Sequence, residues 1–127
     1  AGSRAAVEAS CWRTSIDESC SARSSSRFAI AVETNGTLDA PTDGLWLTVS
    51  PKAGATLKLT RGDELKLVYP QSGAGPELFE RLAFTHFFLQ PMDGPARAEN
   101  TAAAVAYCLT RPGWRLSLQT HKVLGIR

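Results

Sequence analysis

A parallel α/β sheet is the fold that this sequence predicts for residues 28–127, and three observations predict it. Short, unbroken apolar runs recur along the segment, as strands covered on both faces would show. Each run stops at a turn signal or a polar cluster. An alanine-rich stretch of helical character lies between the last two runs and closes at Pro112-Gly113.

In chain order, Phe28-Ala29-Ile30-Ala31-Val32 predicts a first strand, stopping at Glu33-Thr34-Asn35-Gly36. Leu45-Trp46-Leu47-Thr48-Val49 predicts a second, stopping at Ser50-Pro51-Lys52. Glu64-Leu65-Lys66-Leu67-Val68-Tyr69 predicts a third, ending at Pro70, and a short helix is expected around residues 76–81. Residues 84–89 predict a fourth strand, stopping at Gln90-Pro91-Met92-Asp93-Gly94, and residues 97–110 a helix. Trp114-Arg115-Leu116-Ser117-Leu118-Gln119 predicts the last strand, ending at Thr120-His121-Lys122. There are no internal repeats.

Residues 1–27 read differently. They hold eight serines and four arginines but no leucine, whereas residues 28–127 hold fourteen leucines. A segment whose only large aliphatic residues are Val7 and Ile16 buries too little to offset chain entropy, so a disordered arm is expected there. The chain starts at Ala1 rather than Met, which suggests a processed, trimmed or incomplete sequence. Its Ser/Arg-rich start resembles a transit peptide, but Glu8, Asp17 and Glu18 argue against one.

Composition bounds the function. At 127 residues the chain is one domain at most, and shorter than the roughly 200 residues of a complete α/β barrel. A net charge of +2, with no Lys/Arg cluster among aromatics, gives no nucleic-acid footprint. No apolar run approaches the roughly 20 residues that span a bilayer. Cys11, Cys20 and Cys108 form no metal-ligand spacing; Cys108 reads as a buried small residue, and a Cys11–Cys20 disulfide stays open. The cytoplasm is the expected location.

Four polar clusters at strand ends turn topology toward function: Glu33-Thr34-Asn35, Ser50-Pro51-Lys52, Gln90-Pro91-Met92-Asp93 and Gln119-Thr120-His121. Parallel α/β sheets bind ligands at the carboxyl ends of strands. Any strand must end in a polar turn, but these clusters mix carboxylate, ammonium, amide and imidazole, and two carry proline. A small-molecule site is the reading they favour. Lys66 alternates with Leu65 and Leu67, which leaves it snorkelling at an edge or pointing into a barrel lumen.

In this order, Glu33-Thr34-Asn35-Gly36, Ser50-Pro51-Lys52, Glu64-Leu65-Lys66, Gln90-Pro91-Met92-Asp93-Gly94-Pro95 and the ending from Trp114 to Lys122 resemble the 7-carboxy-7-deazaguanine synthases. The resemblance covers residue 28 to the C-terminus, and its specificity lies in the combination. It implies the C-terminal half of a partial parallel α/β barrel of radical S-adenosylmethionine type. It further implies a homodimeric lyase of queuosine and deazapurine biosynthesis, converting 6-carboxy-5,6,7,8-tetrahydropterin to 7-carboxy-7-deazaguanine. The implied cofactors are S-adenosylmethionine, a [4Fe–4S] cluster and Mg²⁺. By the same resemblance, Glu33 would accept from ribose hydroxyls, and Ser50, Pro51 and Lys52 would hold the methionine part. Gln90, Pro91, Met92 and Asp93 would hold the cofactor largely through backbone groups. His121 and the terminal Arg127 would approach the pterin. Asp93 could instead cap the following turn. His86 matches no motif and reads as a partly buried structural histidine.

The family's glycine-rich start, cysteine trio and Gly-Gly-Glu-Pro motif do not appear in residues 1–27. Three thiolates hold such a cluster, and Cys11 and Cys20 cannot replace them by spacing. No residue is therefore assigned a catalytic or metal-ligating role, and the fragment is expected to be inactive alone. A non-catalytic binding or interaction domain built on the half-barrel is the alternative. Ala1-Gly2-Ser3-Arg4 is also what codons for Gly-Gly-Glu-Pro can give when read one base late. An out-of-frame stretch and a genuine arm both remain open for residues 1–27.

Overall fold

Two nine-residue strands, β4 (Arg61–Tyr69) and β5 (Ala83–Pro91), pair in parallel at the centre of the sheet. The computed structural model describes Val7–Trp12 and residues 29–126. Around the central pair lie β1 (Val7–Trp12), β2 (Ala29–Thr34), β3 (Trp46–Val49) and β6 (Trp114–Leu116), in the spatial order β1-β2-β3-β4-β5-β6. The five strands β2 to β6 are all parallel, and β1 runs antiparallel along β2 from Val7↔Thr34 to Trp12↔Ala29.

Register explains the two faces. Val32↔Leu47, Val49↔Leu65, Leu65↔Phe87, Leu67↔Leu89 and Leu89↔Leu116 align apolar side chains across the sheet. Leu47, Val49, Leu65, Leu67 and Leu89 are fully buried, each leucine contributing about 1.5–3 kcal/mol. Helix α1 (Arg97–Thr110) covers this face through Ala104, with Trp114 of β6 buried beside it. Tyr107 on α1 donates to Glu80 at 3.1 Å and Arg111 reaches the same oxygen at 3.7 Å, tying the helix end to the loop before β5. No helix among the described residues is long and apolar enough to cross a membrane.

Four features differ from the sequence-based expectation. The helix expected over 76–81 is a 3-10 turn, Pro76–Leu78, followed by single turn bonds such as Leu82 N–H to Phe79 O. Gln90 and Pro91 lie inside β5 rather than after it. The last strand stops at Leu116 instead of continuing to Gln119. Leu89 faces β6, accepting from Ser117 N–H at 2.8 Å. Two residues on, Pro91 has no N–H to offer that side, so the ladder ends there. The chain then forms a second helix, α2 (Thr120–Leu124), closed by Gly125 at φ 67°. His121 therefore sits on a helix, not at a strand terminus.

The fourth difference is β1, a strand within the segment expected to be disordered. An open strand edge offers unpaired N–H and C=O groups, and an extended segment can satisfy them with backbone alone. The rest of the expected arm, residues 1–6 and 13–27, lies outside the described residues. So do Phe28, Arg127 and the Cys20 half of the open disulfide.

Candidate ligand site at the strand ends

Because β2 to β6 are parallel, their carboxyl ends meet along one edge of the sheet. At the end of β2, Thr34 is buried and its hydroxyl accepts from Gly36 N–H at 3.2 Å. Asn35 accepts from Thr37 N–H at 3.1 Å and from its hydroxyl at 2.8 Å, which fixes the turn. Ser50 N–H donates to Thr34 O at 2.7 Å, so the segment after β3 leaves directly beside the end of β2. Pro51 is buried and Lys52 is exposed to solvent. Gln71 accepts from Ala53 N–H, binding the β3 loop to the loop after β4.

The end of β5 is tied on both sides. Met92 N–H donates to Tyr69 O at 2.8 Å, and Asn100 of α1 donates to Met92 O at 3.0 Å. Asp93 accepts from Lys122 of α2 at 2.6 Å and lies 3.9 Å from Arg97. The hydrogen bond from Lys122, helped by Gly94 N–H, holds the Asp93 carboxyl below the usual carboxylate range. Through Lys122, α2 and with it His121 are drawn toward the β5 end; His121 is exposed.

The face of the sheet away from α1 is polar. Glu33↔Thr48 and Thr48↔Glu64 and Glu64↔His86 align as one row across four strands. Thr48 donates to Glu64 at 3.0 Å, and His86 stacks on Trp46 with centroids 5.9 Å apart at 20°. His86 is half-buried in this stack. In the next row Lys66 lies opposite Phe88, and Phe88 opposite Arg115. Lys66 is on a central strand, which removes the edge-snorkelling alternative. Its ammonium meets Glu33 at 2.7 Å.

Of the residues read from the sequence, Glu33, Ser50 and Gln90 to Asp93 sit at or beside the shared edge, and Asp93 is engaged with α2. Sequence reasoning missed Lys66 as the partner of Glu33, and Asp63, which accepts from Leu47 N–H at 2.7 Å and extends the β3–β4 junction. The period-two alternation of Glu64 and Lys66 was the available signal for the polar face.

Among the described residues the donor set does not fit an iron–sulfur cluster. Among the described residues no group of three or more His, Cys, Asp or Glu side chains gathers as metal ligands. Cys108 is half-buried on α1, and burial pushes its thiol pKa up, the opposite of what a thiolate ligand needs. The carboxylates Glu33, Glu64 and Asp93 face Lys66, Thr48 and Lys122 and do not gather as a ligand set. The strand ends present an exposed ammonium at Lys52 and the half-exposed carboxylate of Glu33.

Fold and strand ends together define a parallel α/β protein whose polar segments gather along one edge of the sheet. The chain is 68% identical over 101 residues to the 7-carboxy-7-deazaguanine synthase of Bradyrhizobium diazoefficiens, covering 79% of this chain and 48% of that protein. It is 63% identical over 99 residues to that of Bordetella pertussis and 62% identical over 99 residues to that of Caulobacter vibrioides, in each case covering 78% of this chain and 47% of the relative. No protein-family model matches. The chain belongs to the 7-carboxy-7-deazaguanine synthase family and spans about half the length of the curated relatives it matches.

Proposed function

We propose that this chain carries the cofactor-holding half of a 7-carboxy-7-deazaguanine synthase. The complete enzyme would be a radical S-adenosylmethionine lyase, converting 6-carboxy-5,6,7,8-tetrahydropterin to 7-carboxy-7-deazaguanine on a partial α/β barrel. The observation that carries the reading is the common edge, where five parallel strands bring the Glu33, Ser50–Lys52 and Gln90–Asp93 segments to one side of the sheet.

Each group has a task suited to its chemistry. Lys52 would pair with the methionine carboxylate, and Ser50 would donate to it. Glu33 would accept from ribose hydroxyls. Gln90 to Met92 would contribute backbone groups, with Asp93 holding α2 and His121 near the pterin together with the terminal Arg127. S-adenosylmethionine would supply the adenosyl group that the family's radical chemistry uses. The described residues gather no group of three or more His, Cys, Asp or Glu side chains for the cluster or Mg²⁺ that this chemistry also requires, so no catalytic step is assigned to them. A cytoplasmic location and a homodimer go with this reading.

Calorimetric titration of the chain with S-adenosylmethionine tests it. Lys52→Ala should weaken binding by about 1.5–3 kcal/mol, the worth of a charge-assisted bond. Glu33→Gln should weaken it less, because an amide oxygen still accepts. Unchanged affinity in both variants would make these ordinary loop residues and overturn the assignment.

A further inference from the structure

We propose that Lys66 is the positioning residue of Glu33, a strut on the open face that aims the carboxylate at the ligand. This rests on reading Glu33 as a cofactor ligand. The two side chains come from β4 and β2 and meet over the intervening β3, at 2.7 Å. Glu33 aligns with Thr48 and Glu64 across the sheet, while Lys66 lies two residues beyond Glu64 toward the carboxyl edge. The pair therefore runs diagonally, and drawing Glu33 toward Lys66 draws it toward the strand ends.

Three features make the lysine the fixed partner. Its backbone sits between Leu65 and Leu67, both fully buried, so its stem rises from the best-packed part of the sheet. The Lys66 side chain is 21% exposed against 50% for Glu33, so the ammonium is sheltered and the carboxylate is presented to solvent. The nearest acid on its own strand and face, Glu64, is engaged by Thr48 at 3.0 Å. The ammonium contacts Oε1 of Glu33, leaving Oε2 for hydroxyl donors. A glutamate alone has three rotatable bonds to freeze on binding, and a charge-assisted contact made beforehand removes much of that cost. A purely decorative pair at such exposure would contribute little to anything.

The test is S-adenosylmethionine titration of the 127-residue chain and its variants K66M, K66Q, K66R, E33Q and K66M/E33Q, each with its urea midpoint. K66M and K66Q should raise Kd about tenfold, with the unfolding midpoint nearly unchanged. K66R, which keeps the charge and the reach, should stay within about threefold of the parent. In the E33Q background K66M should add no more than about twofold, because a positioning residue acts only through what it positions. Weakening by E33Q without weakening by K66M and K66Q overturns the inference alone. Full additivity of the two substitutions overturns it as well, by making Lys66 an independent contact. A parent chain that does not bind, or an E33Q variant that binds as well as the parent, overturns the reading of Glu33 and the inference together.

Discussion

Gly36 stands at φ +74°, three residues after Glu33, and a Cβ there would lie 2.5 Å from Leu57 Cδ1 and 2.7 Å from Val49 Cγ1. Both the conformation and the space require glycine. Gly36→Ala should destabilise the chain by about 2–4 kcal/mol, combining left-handed strain with overpacking, and urea unfolding measures it. A loss below about 0.5 kcal/mol would mean that the turn relaxes freely. At this scale the sequence was readable where chemistry was local. The turn at Glu33-Thr34-Asn35-Gly36 and the polar end at Ser50-Pro51-Lys52 could be picked out because their residue types carry their own backbone preferences. The meeting of Lys66 with Glu33 could not, since it depends on the register of three strands separated by loops of no fixed length. The burial of Thr34 was hidden for the same reason: nothing in a threonine says which face of which strand it will occupy.

Elements were legible where an apolar run or an alanine-rich helical stretch marked them. The helix expected over residues 97–110 is present over that span, and the five parallel strands lie where the apolar runs fall. Elements without such a mark escaped. α2 has five residues, and its sequence Thr-His-Lys-Val-Leu holds no periodicity to distinguish it from a loop. The contact between Asp93 and Lys122 ties it to the end of β5, and that contact has a pH signature. Asp93 has a folded-state pKa below its ordinary value, so the tether is complete above the ordinary carboxylate range. It is lost as the pH falls through the depressed value. Amide resonances of Thr120–Leu124 should therefore move on acidification with the Asp93 carboxyl. Lys122→Ala should raise the midpoint of that movement toward the ordinary carboxylate value. Amides of α2 that stay indifferent to the Asp93 titration would show that the helix is held by other means.

On the scale of the whole molecule, one face of the sheet is an apolar floor under α1 and the other bears Glu33, Glu64, Lys66, His86 and Arg115. The described residues gather no group of three or more His, Cys, Asp or Glu side chains as cluster ligands. Anaerobic reconstitution of this chain with iron and sulfide should thus leave no stable thiolate-cluster absorbance near ~400 nm. A protein-bound cluster of about four irons per chain would overturn that expectation.

The strand order carries a consequence of a different kind. Neighbours in the sheet are neighbours in the chain, from β1 through β6 without exception. Each new strand adds to an edge that already exists, so pairing can spread in one direction, as in stacked repeats, and no late strand must be threaded between two earlier ones. Such an arrangement is divisible. Cutting it at any loop separates two contiguous sheets, whereas the same cut in a sheet with a central switch point would leave gaps inside both pieces. Exchange of a unit at either margin, by recombination or by a strand of foreign sequence, costs the lost edge contacts and leaves the interior register intact. A lineage built on this order can trim or extend its sheet from the ends while Glu33, Lys66 and the strand termini keep their mutual places.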